Sequence, residues 1–515
     1  MATPPRDFLE FNDFIDQSLA AIKKIQAETA HIGVLVGAPS RNPKIEGKDL
    51  FNSAYLLYEN KIKGVIHKSL LPNYDIFDEY RYFEPAYEWN LLHFKGLKLA
   101  VTICEDIWDL VENPLYRVCP MDILAKQQPD IMINLSASPF DYIHAAGRKG
   151  IVKKNVLEYN LPMIYCNTIG SQTEIVFDGG SLAMNADGDI VSELPYFSES
   201  LQSVNFLNGS FEGPVLQHAA SIPLQPLIPE TFNASLGVDT IHKALILGIH
   251  DYFGKMGFKK AIVASSGGID SAVVLALACE ALGAANVQAI LMPSQFSTGH
   301  SVSDAELLSK NLGNEYHILP IKDVFAAFEH ELQPLFKGLP FNVAEENLQS
   351  RIRGALVMAL SNKFGSILLN TSNKSELATG YGTLYGDMAG GLSVLGDLYK
   401  MQVYALANYI NRNKSIIPQN IIQKAPSAEL RPGQKDADSL PEYDILDPIL
   451  YQYIEQRKSP TELIAIGDDA QLVHRILKLV NSSEYKRNQF CPIIRVSPKA
   501  FGIGRRVPIV GKYLS

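Results

Sequence analysis

Residues 260–278 admit few folds. They read Lys-Ala-Ile-Val-Ala, then Ser265-Ser-Gly-Gly-Ile-Asp-Ser271, then Ala-Val-Val-Leu-Ala-Leu-Ala. The first run has the apolar character of a buried strand and the last that of a buried helix from about Ser271. Strand, glycine turn and helix in that order open a doubly wound α/β domain. Two adjacent glycines let the backbone turn tightly and approach a ligand closely, and free N–H groups at a helix start present positive charge to an anion. The hydroxyls of Ser266 and Ser271 add donors. Asp270 is out of place beside phosphate unless a hard cation lies between them, so the motif implies Mg2+. An ordinary strand-to-helix turn would use glycine and serine too, without calling for the acid.

At 515 residues the chain is long for one core, and two large domains fit best. Short apolar runs at residues 32–36, 97–103, 131–135 and 163–166 read as strands, with helical spacing over 13–27 and 147–159 between them. A Pro-rich stretch without periodicity, about residues 208–233, reads as a linker, followed by a long helix over 238–255. The divisions expected are therefore 1–205, a linker over 206–235, and 236–515. A hydrophobic content of 47% with 20% charged residues is that of a soluble globular protein. The net charge of -9 argues against nucleic acid as a partner. No basic-apolar leader opens the chain, and no run of about 18 apolar residues would span a membrane. Five scattered cysteines without a C-x-x-C pair point to a reducing cytoplasm.

The S-G-G-x-D-S loop resembles the signature of the ATP pyrophosphatases, which cleave ATP between the α and β phosphates. Residues 371–391 (Thr-Ser-Asn-Lys-Ser-Glu-Leu-Ala-Thr-Gly-Tyr-Gly-Thr-Leu-Tyr-Gly-Asp-Met-Ala-Gly-Gly) and Gly396-Asp-Leu-Tyr-Lys400 narrow the likeness. With residues 346–353, 426–430, 440–447 and 484–487, they resemble the NAD synthetases along nearly the whole carboxyl half. The resemblance implies an adenine nucleotide α-hydrolase-like parallel sheet. It also implies amidation of nicotinate adenine dinucleotide (deamido-NAD) through an adenylated carboxylate, with ATP as substrate. On it, Ser265, Ser266, Gly267, Gly268, Ile269, Asp270, Ser271, Thr371, Lys400 and Ser427 contact ATP. Asp270 and Glu376 hold Mg2+, and Asn347, Arg351, Tyr381, Asp387 and Lys486 bind deamido-NAD.

Residues 60–182 resemble the nitrilase, or carbon-nitrogen hydrolase, superfamily in the segments around His67-Lys-Ser-Leu-Leu-Pro, Ile103-Cys-Glu-Asp-Ile-Trp108 and Val176-Phe-Asp-Gly-Gly-Ser181. Together the two halves resemble the glutamine-dependent NAD synthetases. That likeness implies a nitrilase-type α/β/β/α sandwich in which Cys104 attacks the glutamine amide and Lys68 stabilises the oxyanion. Tyr74, Ser138 and Arg148 bind glutamine, Glu79 supports the site, and ammonia passes on within a homo-oligomer. In the family the general base stands in a Pro-Glu pair before a Gly-Tyr-Pro-Pro segment, whereas this sequence opens at Met1-Ala-Thr-Pro-Pro. The expectation is thus an amino-terminally shortened sandwich, impaired with glutamine and active with ammonium. Glu10 does not replace the base, and Glu105 points away from Cys104 if strand alternation continues past it. Three rivals fare less well: another ATP pyrophosphatase acting on tRNA, a silent assembly subunit, and an amidase with a nucleotide sensor. The acidic charge counts against the first, the set Asp270, Glu376 and Lys400 against the second, and the lack of a base against the third.

Overall fold

In a computed structural model, residues 5–108, 115–224, 229–511 and 513 are described. The chain divides into two compact units, one of residues 1–170 and 177–228, the other of residues 171–176 and 229–515.

The first unit is built in four layers. Val34–Arg41, Leu50–Tyr58 and Lys61–His67 form an antiparallel three-stranded sheet. Leu92–Phe94, Leu97–Ile103, Ile131–Ser136, Met163–Asn167, Leu182–Met184 and Ile190–Glu193 form a six-stranded mixed sheet. Because strand side chains alternate between faces, Ala54 and Leu56 meet Leu99, Val101 and Ile103 between the two sheets. Tyr55 and Leu57 point the other way, onto Ile22 of the helix Asn12–Ala27. Ala100 and Met132 likewise turn outward to Ile151, Val152 and Val156 of the helix His144–Tyr159. This is the α/β/β/α order. Within the expected linker, Asn205–Leu207 and Ser210–Glu212 pair as a hairpin whose Phe211 enters the intersheet core, and Ile222 packs in the helix-side core. Residues 225–228 of that stretch lie outside the described residues.

The first strand begins at Val34 rather than residue 32 and runs to Arg41, through Pro39. Proline is tolerated because this strand pairs on one side only among the described residues. Leu50–Tyr58 and Lys61–His67 were not foreseen. Their turn residues Glu59 and Asn60 both take left-handed backbone (φ 52° and 56°), a hairpin turn usually announced by glycine.

The second unit holds five parallel strands in the order Glu315–Ile318, Val287–Leu291, Ala261–Ala264, Ile367–Asn370, Leu392–Ser393. Ala261–Ala264 is central. The chain first winds outward on one side of it and then returns to the other side, so the connections diverge between Ala261–Ala264 and Ile367–Asn370. Such a divergence opens a crevice beyond the carboxyl ends of the strands. The helix Ile269–Leu282 packs on Ala261–Ala264 and Val287–Leu291 and against the helices Val238–Met256 and Lys400–Ile410. It is buried from Ile269 to Cys279 except at Asp270. Truncating Leu57, fully buried between its sheet and the first helix, is expected to cost about 2–5 kcal/mol. Guanidinium unfolding of Leu57→Ala followed by circular dichroism measures it; a cost near zero would mean that the helix layer does not pack there.

Candidate active site

The crevice of the second unit is a cavity of about 280 Å3. Its floor is the turn after Ala261–Ala264. Gly267 has φ +78°, and a Cβ there would overlap the backbone carbonyl of Ser301, so only glycine fits. The two serine hydroxyls shape the loop from within. The N–H of Ser266 donates to Ser271 Oγ (3.2 Å), that of Gly268 donates to Ser266 Oγ (3.2 Å), and Ser271 Oγ donates to the Gly268 carbonyl (3.1 Å).

Asp270, at the start of the helix, is reached by groups from two distant segments. Lys400 Nζ lies 2.6 Å from one oxygen and Asn373 Nδ2 donates to the other (2.9 Å). Lys400 Nζ also stands 3.6 Å from Glu376. Asn373 caps the helix Lys374–Thr379, its Oδ1 accepting the Glu376 N–H (3.0 Å) while Glu376 accepts the Asn373 N–H (3.2 Å). The start of Lys400–Ile410 is tied to the same helix. Its Lys400 N–H donates to Ser375 Oγ (3.0 Å), Ser375 donates to Asp447 (2.6 Å), and Asp447 accepts the Met401 N–H (2.8 Å). Below, the buried ammonium of Lys374 contacts Asp397, Glu455, Ser497 Oγ and the Lys499 carbonyl at 2.8–2.9 Å.

Burial and the neighbouring Asp270 raise the Glu376 carboxyl, with Lys400 acting against them. Burial alone would lower the Lys400 ammonium, but Asp270 and Glu376 hold it above the ordinary lysine range. Asp436, which sequence reading passed over, joins this group. It is buried, accepts from Tyr381 (3.1 Å) and Tyr443 (3.0 Å), and is raised by burial against the pull of Lys400. Two carboxylates thus stand within 3.6 Å of the Lys400 ammonium, and Asp436 acts on it from further away. Among the described residues no three His, Cys, Asp or Glu side chains are spaced to bind a metal by themselves. A magnesium ion needs only one or two carboxylates when phosphates complete its shell, and Asp270 and Glu376, brought together at Lys400, fit a cation of that kind.

Of the remaining expected positions, Thr371, Tyr381, Asp387 and Ser427 line the cavity with Ser265, Ser266, Gly268, Ile269, Asp270, Ser271, Glu376 and Lys400. Asn347, Arg351 and Lys486 instead gather along residues 380–387 and do not line it. Thr383 donates to Asn347 (2.7 Å), Arg351 to the Leu384 carbonyl (3.2 Å), and Lys486 to the carbonyls of Gly380 (2.7 Å) and Gly382 (2.8 Å). Asp387 accepts the Thr383 N–H (2.6 Å), and burial raises its carboxyl. Lining cations that motif reading missed are Arg353 and Lys424.

In the first unit Leu97–Ile103 delivers Cys104 into a left-handed turn (φ 46°) that starts the 3-10 segment Cys104–Ile107. Such strain in a non-glycine residue is a feature of functional sites. Burial raises its thiol, and the charge of Lys68 works in the opposite sense. Lys68 is fully buried with its ammonium 2.7 Å from both oxygens of Glu79. Asp106 fixes the turn by accepting the N–H groups of Ser69, Leu70 and Ile103 (2.8–3.0 Å), and burial pushes its carboxyl up to about 6. Strand alternation stops at Ile103, and Glu105 accordingly does not point away. Buried and coupled electrostatically to Lys68 and Glu79, it accepts from Tyr74 (2.7 Å) and Tyr116 (3.3 Å). Ser138 bonds His144 (2.9 Å). The buried Arg148 pairs with Asp178, and among the described residues its Nη1 has no hydrogen-bond partner. Burial raises the Tyr165 hydroxyl, with the charge of Arg148 acting against it.

The NAD synthase family model matches residues 241–490, and the carbon-nitrogen hydrolase model matches residues 5–206. A glutamine-dependent NAD(+) synthetase of Synechocystis is 44% identical, the alignment covering 98% of this chain and 90% of that one. The chain belongs to the glutamine-dependent NAD synthetase family. The synthetase of that name from Thermotoga maritima is 38% identical over 99% of this chain and 91% of its own. Among solved structures, the glutamine-dependent NAD+ synthetase of Acinetobacter baumannii in complex with ADP superposes with a TM-score of 0.74 at 34% identity, covering 99% of this chain and 90% of that one.

A buried carboxyl of the second unit, tied to two helix starts, carries a titration with a definite sign. Burial raises the Asp447 carboxyl from 3.8 to about 7, so the folded chain holds a proton that the unfolded chain has released. The stability this contributes is complete below 3.8 and lost as pH rises through 7. In denaturant titrations the unfolding free energy of the wild type minus that of Asp447→Asn is expected to fall between these two values and level off above them. A difference that grows with pH contradicts the assignment.

Proposed function

We propose that this chain makes NAD by ATP-dependent amidation of deamido-NAD, with ammonia from glutamine or from free ammonium. The observation that carries the reading is the convergence of Asp270, Glu376 and Lys400 beside the Gly267 turn, in a chain of this family. A carboxylate oxygen of the nicotinate ring attacks the α-phosphorus of ATP. The bond to the bridging oxygen breaks, and pyrophosphate leaves with the electron pair. Ammonia then adds to the acyl carbon of the mixed anhydride, AMP departs, and the surplus proton passes to solvent.

The N–H groups at the helix start after Gly268 bind the phosphates, with Thr371, Lys400 and Ser427 as further ATP contacts. Asp270 and Glu376 would hold a magnesium ion, which supplies neutralisation of charge on the departing pyrophosphate. Lys400, fixed between these carboxylates, acts as a preorganised point charge. Tyr381 and Asp387 receive deamido-NAD within the cavity, and Asn347, Arg351 and Lys486 receive it along residues 380–387.

In the first unit, Cys104 adds to the glutamine amide carbon while Lys68, held by Glu79, stabilises the oxyanion; the C–N bond breaks as the thiol proton reaches the nitrogen, ammonia departs, and water hydrolyses the thioester to glutamate. Tyr74 and Ser138 bind the substrate, with the free Nη1 of Arg148 available to its carboxylate. The apolar Val324, Phe328 and Leu335 stand exposed on the helix Lys322–Phe336, a surface suited to a homo-oligomer. Among the described residues all cysteines are free and no helix is long and apolar enough to cross a membrane, in keeping with a cytoplasmic enzyme.

The test is incubation with deamido-NAD and Mg-ATP, with ammonium or glutamine, while NAD, AMP and pyrophosphate are quantified. With ammonium, equal amounts of all three are expected; ADP and orthophosphate in their place would overturn the reading. Lys400→Met is expected to lower the ammonium-driven rate about 10²–10³-fold. Cys104→Ala is expected to leave that rate unchanged and to show no synthesis from glutamine.

A further inference from the structure

Lys424 follows the helix Gln419–Gln423 and lines the synthetase cavity together with Ser266, Asp270 and Lys400. Its Nζ donates to Ser301 Oγ (3.0 Å), and Ser301 is the residue whose carbonyl lies against Gly267. The Lys424 ammonium therefore stands at the wall of the phosphate loop. Ser301 Oγ in turn donates to Glu429 (2.6 Å), and Asp304 accepts from Asn420. Glu429 and Asp304 act on Lys424 from a distance, and among the described residues no carboxylate forms an ion pair with it. A partly buried ammonium without an ion-pair partner in an anion-binding cavity is open to a ligand. Lys400 differs in being already paired with Asp270 and Glu376.

We infer that Lys424 is a second pyrophosphate-binding cation, contacting the departing β and γ phosphates of ATP from beside Ser301 at the Gly267 turn. It rests on the reading of this cavity as the ATP site. It singles out the ATP pyrophosphate over the one inside deamido-NAD because Ser301 abuts Gly267 and not residues 380–387.

Calorimetric titrations of the whole protein with Mg-pyrophosphate, AMP and deamido-NAD separate these cases. Lys424→Met is expected to weaken pyrophosphate about 10- to 100-fold, the loss of a charge-assisted hydrogen bond, and to leave AMP and deamido-NAD unchanged. Lys424→Gln, which keeps a donor for Ser301 but not the charge, is expected to lose as much. Wild-type pyrophosphate affinity in either variant overturns the inference alone, as does a loss confined to deamido-NAD or shared equally with AMP. A wild type that binds neither AMP nor pyrophosphate overturns the reading of the cavity as well.

Discussion

A buried lysine between two carboxylates organises the second unit. Lys400 draws together Asp270 from the helix after the central strand, Glu376 from the helix after the next strand, and its own helix. Each partner is costly to bury alone, and removing one leaves the others uncompensated. The surrounding bonds follow from that constraint. Asn373 holds both acids at once, Ser375 and Asp447 lock the two helix starts, and Lys374 with Asp397 and Glu455 repeats the arrangement one layer deeper. The result is a rigid group of charges at the point where the sheet connections diverge, and preorganised charge is what phosphoryl and acyl transfer need.

The first unit solves a related problem with fewer groups. Lys68 is fully enclosed and stays protonated because Glu79 grips it with both oxygens. Cys104 has no such partner: burial opposes its thiolate, so the charge of Lys68 is the main force favouring ionisation. The strained turn that presents it is pinned by Asp106, which accepts three backbone N–H groups. Both units thus bury a lysine against carboxylates.

How much of this was legible varies with the physics. The glycine turn could be read because glycine, a strand and a helix each leave a local mark, although the helix begins at Ile269, ahead of the expected Ser271. Asn373 carried a readable sign too, since Asn-x-x-Glu is a capping pattern, but its second role on Asp270 depends on a contact 103 residues away. Asp436 opens the short 3-10 turn Asp436–Asp438 and Lys424 follows a five-residue helix, segments too short for periodicity to mark what faces a cavity. The hairpin Leu50–His67 was missed because Asn52 and Ser53 interrupt its apolar run and its turn lacks glycine. Glu105 was misplaced by extending strand alternation into a 3-10 turn.

The central claim is that the carboxylate of deamido-NAD is activated by transfer of AMP. Oxygen-18 in both carboxylate oxygens of deamido-NAD tests it most directly, with ammonium as nitrogen source and the products weighed by mass spectrometry. The account predicts one heavy oxygen in AMP, one retained in the NAD amide, and none in pyrophosphate. Heavy oxygen in pyrophosphate, or AMP without label, would contradict it.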